Sequence, residues 1–198
     1  MTPMIKQSIY KAINKPKIIQ YPSKTLHKVS QAIETIDDDV RALADFMAGL
    51  VVKEGAAGLA AIQVGVPLRM FIGYNENEKQ VVMVNPVLHR VGDVKPPQVA
   101  TDTQTGEPVG GGAGVGAWAP WADKAAVQAL DNDRQVMVEG CLSLRGVTAP
   151  TARYPVVEVE WQDLTAATHR VILTSSLAAQ CFQHELEHLD GKFFTDVV

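Results

Sequence analysis

The stretch QHELEHLDGKF, residues 183–193, places two histidines four positions apart, with a glutamate directly after the first. On an α-helix four residues advance by about 400°, so His184 and His188 project from one face about one turn apart. Two imidazoles in this position can occupy neighbouring corners of a tetrahedral metal site. Glu185 would then reach a water on the metal without being a ligand, as the general base does in His-Glu-x-x-His hydrolases. Two partly buried histidines with ordinary hydrogen bonds are the alternative.

A third ligand is expected from one of the two cysteines. Cys141 lies in EGCLSLRG (139–146), a glycine-flanked turn after the apolar run VMV. Its thiolate would complete a Cys/His/His set and leave a fourth position for water, as in catalytic sites. Cys181 precedes His184 by three residues, and three ligands from one helix would leave the metal exposed. We therefore expect Cys141 to be the ligand and Cys181 to pack beside the site.

The stretch GLAAIQVG, residues 58–65, offers a donor for a developing oxyanion. The side-chain amide of Gln63 could face a negatively charged oxygen, although a glutamine taken alone is most often a surface residue. Gly58, Ala60 and Ala61 are small, so the backbone here can approach a ligand closely.

The order of predicted elements indicates an α+β fold with mostly antiparallel strands. DDDVRALADFMAGLVVK (37–53) has an acidic start and helical spacing of apolar residues, and Gly55 ends it. A second helix is predicted from Ser175 or Ser176 to about Leu189. Four short runs rich in Val and Ile are predicted as strands, and the last two suit a hairpin: 69–75, 81–88, 156–161 and 169–175.

Composition narrows the class of protein. A chain of 198 residues is expected to form one domain, residues 1–198, and the net charge of −4 argues against direct nucleic-acid binding. No apolar run reaches the roughly 18 residues that a membrane span needs. The first 33 residues contain lysines but no acid, which indicates either a solvated arm or the remnant of an organelle-targeting extension. Two cysteines do not form a disulfide framework and favour a reducing compartment.

Residues 93–135 interrupt the order of predicted helices and strands. They are rich in Gly, Pro and Ala and are predicted to be an insertion loop. Its GGGAGVGA follows no convincing strand and lacks the acid that would hold a ribose, which argues against a dinucleotide site. Trp118 and Trp121 could anchor this loop on the body or cover a cleft.

Three stretches together resemble the motifs of the peptide deformylase family, in the family's order. They are AAGLAAIQ (56–63), EGCLS (139–143) and QHELEH (183–188), within a similarity that covers about residues 18–93 and 134–196. The resemblance implies a metal helix packed among antiparallel strands. It also implies removal of the formyl group from N-formylmethionine of newly made polypeptides.

The resemblance further implies roles for individual residues. Cys141, His184 and His188 would bind one divalent ion, usually Fe(II), with Zn, Ni or Co as substitutes. Glu185 would be the acid/base, while Gln63 and the backbone N–H of Leu142 would hold the formyl oxygen. The peptide would pair as an extra strand near Ala57 and Gly58, and Gly140 and Cys181 would also contact it.

Several positions depart from the family pattern and bear on substrate range. Ala56 replaces a glycine of the first motif, and Arg145 follows the second motif where proline is usual. Gln180 stands where an apolar pocket residue is expected. Glu187 replaces an aspartate, and we expect it to pair with Arg153.

Two other functions remain open. A diverged hydrolase could keep this site for another N-acyl peptide, or an inactive homologue could bind a partner such as the ribosome. Formylmethionine occurs where bacterial-type translation runs, so a mitochondrion or other organelle is expected, with the bacterial cytoplasm as the alternative. The sequence predicts no oligomeric state.

Overall fold

The computed structural model describes residues 1–91 and 134–196. This part of the chain contains three α-helices and seven β-strands. The helices are α1 (Pro3–Asn14), α2 (Asp38–Glu54) and α3 (Ser176–Leu189). The strands are β1 (Leu59–Ala60), β2 (Met70–Tyr74), β3 (Gln80–Val91), β4 (Gln135–Cys141), β5 (Leu144–Arg153), β6 (Val157–Gln162) and β7 (Thr168–Leu173). The predicted α+β class with antiparallel sheets is confirmed.

Helix α2 forms where the sequence predicts it. Oδ1 of Asp37 accepts a hydrogen bond from the N–H of Val40 at 3.1 Å and so caps the first turn. Gly55 ends the helix with φ of 62°, a left-handed conformation that glycine adopts without strain. The predicted apolar face is buried, and it lies against β2.

Five strands form one antiparallel sheet in the order β1-β2-β3-β6-β7. The four predicted strands correspond to β2, β3, β6 and β7, with ends that differ by one to three residues. The predicted hairpin joins β6 to β7. Asp163 stabilises its turn, because Oδ1 accepts from the N–H groups of Thr165 and Ala167 at 2.8 and 3.1 Å.

Strands β4 and β5 form a separate antiparallel pair, which the sequence analysis did not predict as strands. Leu142 and Ser143 make the tight turn between them, so Cys141 is the last residue of β4. Strand β5 contains Gly146 and Pro150, which are poor strand formers, and its conformation therefore depends on pairing with β4.

The prediction of a solvated arm is wrong for residues 3–14, which form α1. Pro3 occupies the first turn, where its missing N–H costs nothing. Ile5, Ile9 and Ala12 recur at helical spacing and are buried in the same apolar cluster as the face of α2.

Helix α3 lies between the two sheets, which determines where the site forms. It contacts β1, β2 and β7 of the large sheet and β5 of the hairpin. Phe182 packs edge-on against Phe71 of β2, with ring centroids 5.4 Å apart. The same helix thus has one face in the core and another facing β4.

The predicted insertion at 93–135, with Trp118 and Trp121, lies almost wholly outside the described residues, and so its structure stays a prediction. The single-domain organisation of residues 1–198 likewise stays a prediction. Within the two described ranges, no helix combines the length and apolarity needed to cross a bilayer.

Candidate active site

The structure brings Cys141, His184 and His188 together, although the cysteine and the histidines come from different elements. Cys141 ends β4, and both histidines lie on one face of α3. Their candidate ligand atoms all lie within 4.8 Å of one another, and Sγ of Cys141 is 3.1 Å from Nε2 of His188. The three side chains are therefore close enough to bind a single ion through one thiolate and two imidazoles, a donor set that would leave one position for water.

Burial around the group is uneven. His188 is almost fully buried and His184 is 9% exposed, whereas Cys141 is half-buried beside a cleft. A metal held here would have protein on most sides and an approach from the cleft. Cys181 is not part of this group; it lines the cleft next to it, and its Sγ lies 3.6 Å from the carbonyl oxygen of Ala57.

A network of hydrogen-bonded charged side chains orients His184. Its Nδ1 lies 3.0 Å from Oε2 of Glu139, which leaves Nε2 for the site. The guanidinium of Arg153 holds both oxygens of Glu139 at 2.6 and 2.8 Å. Arg153 also donates two hydrogen bonds to Glu187, which is the pairing expected from the sequence.

The charges favour a cation at the histidines. Burial would lower the pKa of His184, but hydrogen bonds with Cys141 and Glu139 raise it to about 10. Burial would raise the pKa of Glu139, but hydrogen bonds from Arg153 and His184 lower it to about 2. Burial holds the pKa of His188 well below its usual value, so this ring is neutral and suited to be a ligand. A divalent cation supplies the positive charge that Glu139 and Cys141 favour at this place, so the residues present fit a metal.

Glu185 is buried directly beside the group. Its Oε2 has no hydrogen-bond partner within the described part of the chain. Burial raises the pKa of this carboxyl to about 7. A carboxyl group with a pKa near neutrality can both accept and return a proton, which suits general acid/base catalysis.

Gln63 is fixed in one orientation by its neighbours. It lies in a short 3₁₀ helix, Ala61–Val64, and its Oε1 accepts a hydrogen bond from the N–H of Ala60 at 2.7 Å. The amide nitrogen consequently faces the site, where it donates to Sγ of Cys141 at 3.3 Å and to Oγ of Ser143 at 3.1 Å. Leu142 follows the cysteine directly, in the turn between β4 and β5.

A cleft of about 610 Å³ passes along the site. Four residues expected to contact substrate line it: Ala57, Gly58, Gly140 and Cys181. The departures from the family pattern at Ala56, Arg145 and Gln180 line it as well. At its rim Arg145 forms an ion pair of 2.8 Å with Glu54.

Sequence reasoning gave no role to Glu139, Ser143 or Glu54. Glu139 is the first residue of EGCLS. An acid two residues before a candidate ligand could have indicated a carboxylate that hydrogen-bonds to a metal-ligating histidine. Nothing in the sequence indicates that Glu54 pairs with Arg145, because that contact depends on how β5 lies against the end of α2.

Comparison with known proteins agrees with this geometry. The family model for polypeptide deformylase matches residues 15–198. Peptide deformylase from Rhizobium meliloti is 30% identical over 188 residues, covering 93% of this chain and 84% of that protein. The chloroplastic peptide deformylase 1B of Oryza sativa is 29% identical over 184 residues; the match covers 91% of this chain but about half, 54%, of the rice protein.

A solved structure shows the same arrangement of elements. The crystal structure of Arabidopsis thaliana peptide deformylase 1B in complex with an inhibitor superimposes with a TM-score of 0.67 at 25% identity. The match covers 92% of this chain and 81% of that one. On the family match and the relatives together, this chain belongs to the polypeptide deformylase family.

Proposed function

We propose that this chain is a metal-dependent peptide deformylase, which hydrolyses the formyl group from the N-terminal formylmethionine of newly made polypeptides. The observation that carries the proposal is the convergence of three metal-ligand side chains, a buried glutamate and an oriented amide donor on one cleft. Family membership supports the same reaction.

Cys141, His184 and His188 would hold the ion. A divalent metal bound there supplies a Lewis acid that polarises the formyl carbonyl and lowers the pKa of water towards about 7. Fe(II) is the proposed ion in the cell, with Zn(II), Ni(II) or Co(II) able to substitute. The mixed thiolate and imidazole donors support this set, because such ligands suit Fe, Ni, Co and Zn rather than Mg or Ca.

Glu185 moves the proton. Its carboxylate takes a proton from the water that attacks the formyl carbon and then passes it to the nitrogen of the leaving amine. The buried position of Glu185 and its lack of a hydrogen-bond partner at Oε2 in the described residues support this role.

Gln63 and Leu142 stabilise the charge on the formyl oxygen. The fixed amide of Gln63 donates N–H from one side of the cleft, and the backbone N–H of Leu142 donates from the turn after Cys141. Because Ala60 already holds Oε1 of Gln63, the amide nitrogen stays directed at the site and would only exchange its hydrogen bond to Sγ of Cys141 for one to the formyl oxygen.

The peptide would lie along Ala57 and Gly58 as an additional strand, with Gly140 and Cys181 also in contact. Strand β1 supports this because it is an edge of the large sheet. A substrate that emerges from the ribosome is consistent with transient ribosome association. An organelle or the bacterial cytoplasm is the proposed location, since the relatives include a chloroplastic enzyme and bacterial enzymes.

Release of formate from formyl-Met-Ala-Ser tests the function. Protein loaded with Fe(II) under anaerobic conditions, or with Co(II) or Ni(II), should release formate, and protein stripped by a chelator should not until metal is restored. Cys141→Ala should lose bound metal and activity together, while the matched variant Cys181→Ala should keep the metal. Loaded protein that releases no formate would refute the proposal.

A further inference from the structure

Gln180 gives one wall of the cleft a polar group that the catalytic proposal does not use. It lies one helical turn before His184 on α3, so the two side chains share a face. The surrounding wall is formed by side chains without strong hydrogen-bonding groups: Val138, Val147, Leu177 and Cys181.

The neighbours of Gln180 determine which end of its amide is free. Nε2 donates to the carbonyl oxygen of Val138 on β4 at 3.3 Å. Pro150, which lies opposite Val138 on β5, has no N–H to offer that carbonyl. A carbonyl can only accept, so the nitrogen of Gln180 must face it, and Oε1 is the free end. Within the described residues, no hydrogen bond to Oε1 is formed.

The spacing places this free oxygen at the depth of a substrate side chain. Four residues separate Gln180 from His184, which is a rise of about 6 Å along α3. A side chain of four heavy atoms next to the reacting amide extends about 5 Å, from ordinary bond lengths, and so covers most of this distance. The tip of the first side chain of a bound formyl peptide can therefore reach Gln180.

We propose that Gln180 adapts the cleft to formyl peptides whose first side chain has the length of methionine but ends in a carboxamide, as in glutamine. This rests on the proposed deformylase function and names a substrate class for the same site. A carboxamide offers an N–H to the free Oε1 and an oxygen to the remaining N–H of Gln180. The methionine thioether donates nothing, so a methionine peptide removes water from Oε1 without replacing it.

Matched substrates isolate this effect. Formyl-Gln-Ala-Ser and formyl-norleucine-Ala-Ser have side chains of equal depth and differ in polarity, and formyl-Met-Ala-Ser serves as the reference. The ratio of kcat/KM for the glutamine peptide to that for the norleucine peptide should fall at least about tenfold in Gln180→Leu relative to the unchanged protein. Gln180→Met, which matches the length of glutamine, should show the same fall. Gln7→Leu, the same change at an exposed position of α1, should leave the ratio unaltered.

The ratio separates this role from a structural one. If Gln180 only holds β4 against α3, its replacement would change kcat/KM for both peptides by the same factor, and the proposal would be overturned. The cobalt-loaded forms should keep their thiolate-to-cobalt absorption, which shows that Cys141 has not moved. If the unchanged protein acts on formyl-Met-Ala-Ser but the glutamine-to-norleucine ratio of kcat/KM is the same in the variants, this inference alone is refuted. Unchanged protein that releases no formate from any of the peptides refutes the deformylase function as well.

Discussion

A β-carbon on Gly58 would lie 2.5 Å from Oε1 of Glu185, so the carboxylate occupies space that any side chain at position 58 would take. The same β-carbon would lie 2.8 Å from Sγ of Cys181. Glu185 and Cys181 are both buried, so a side chain at position 58 would be accommodated only by displacing them. Gly58 therefore determines where the proposed proton-transfer group lies.

Replacing Gly58 by alanine should displace Glu185 and lower kcat by about 100-fold, as expected for a misplaced catalytic group. Metal content should be unchanged, because the three atoms nearest to that β-carbon belong to Glu185 and Cys181 and not to Cys141, His184 or His188. Steady-state kinetics and metal analysis of Gly58→Ala check this, with Gly49→Ala as the control, since a β-carbon there meets no atom within 4 Å. Equal rates in the two variants would contradict the prediction.

Glu185→Gln should keep the metal and lose at least about 100-fold in turnover, as expected when a general base is removed. The variant preserves size and polarity but cannot accept the proton. Single-turnover formate release measures the loss. A variant with nearly normal rates would exclude Glu185 as the proton carrier.

Gln63→Leu should lower kcat by about 100-fold or more while KM changes little, because the donor acts on charge that develops during the reaction. Ser143→Ala is the matched control. It removes one partner of the Gln63 amide but leaves Oε1 bound to the N–H of Ala60, so most activity should remain. A loss in Gln63→Leu that lies entirely in KM would indicate ordinary substrate binding instead.

Arg153→Met should reduce the free energy of unfolding by about 3–5 kcal/mol, because it leaves Glu139 buried without its cation. Oxygen atoms of Glu139 accept two hydrogen bonds from this guanidinium, and both residues are buried. Urea denaturation of the metal-free protein measures the change. Glu187→Asp, which keeps the charge, should cost far less; equal losses would show that the loss of the buried cation beside Glu139 does not determine the cost.

Ile9→Ala should reduce the free energy of unfolding by about 2–4 kcal/mol through the cavity it leaves between α1 and α2. Tyr10→Ala is a suitable control, because Tyr10 is 70% exposed on the same helix. Formate release at low temperature should be the same in both variants, since α1 does not line the cleft. A catalytic defect confined to Ile9→Ala would mean that α1 influences the site.

The sequence predicted those parts of the fold whose local signals agree with their packing. Helix α2 has a capping aspartate, an apolar stripe and a terminating glycine, and it forms within one residue of the predicted range. Helix α1 was not predicted because its lysines and the absence of acids are also typical of a solvated arm, although Ile5, Ile9 and Ala12 have helical spacing. Strand β5 has weak strand propensity, and it is extended where it pairs with β4.

The candidate site was likewise predictable from the sequence only in part. Motif spacing placed His184, His188 and Glu185 on one helix and singled out Cys141, and the structure brings them together. The orientation of Gln63 could not be predicted, since it follows from an N–H three residues earlier that the 3₁₀ helix presents. The role of Arg153 in joining Glu187 to Glu139 depends on β5 lying beside α3, which no local pattern records.

Among the strands of residues 1–91 and 134–196, the hairpin β4–β5 pairs only with itself, and a two-stranded hairpin has little stability of its own. Cys141 sits at its tip, whereas both histidines belong to the helix in the core. An ion bound by all three would therefore act as a cross-link that ties the hairpin to the body of the protein. Loss of the ion should loosen this hairpin first, and the wall of the cleft that it forms would loosen with it.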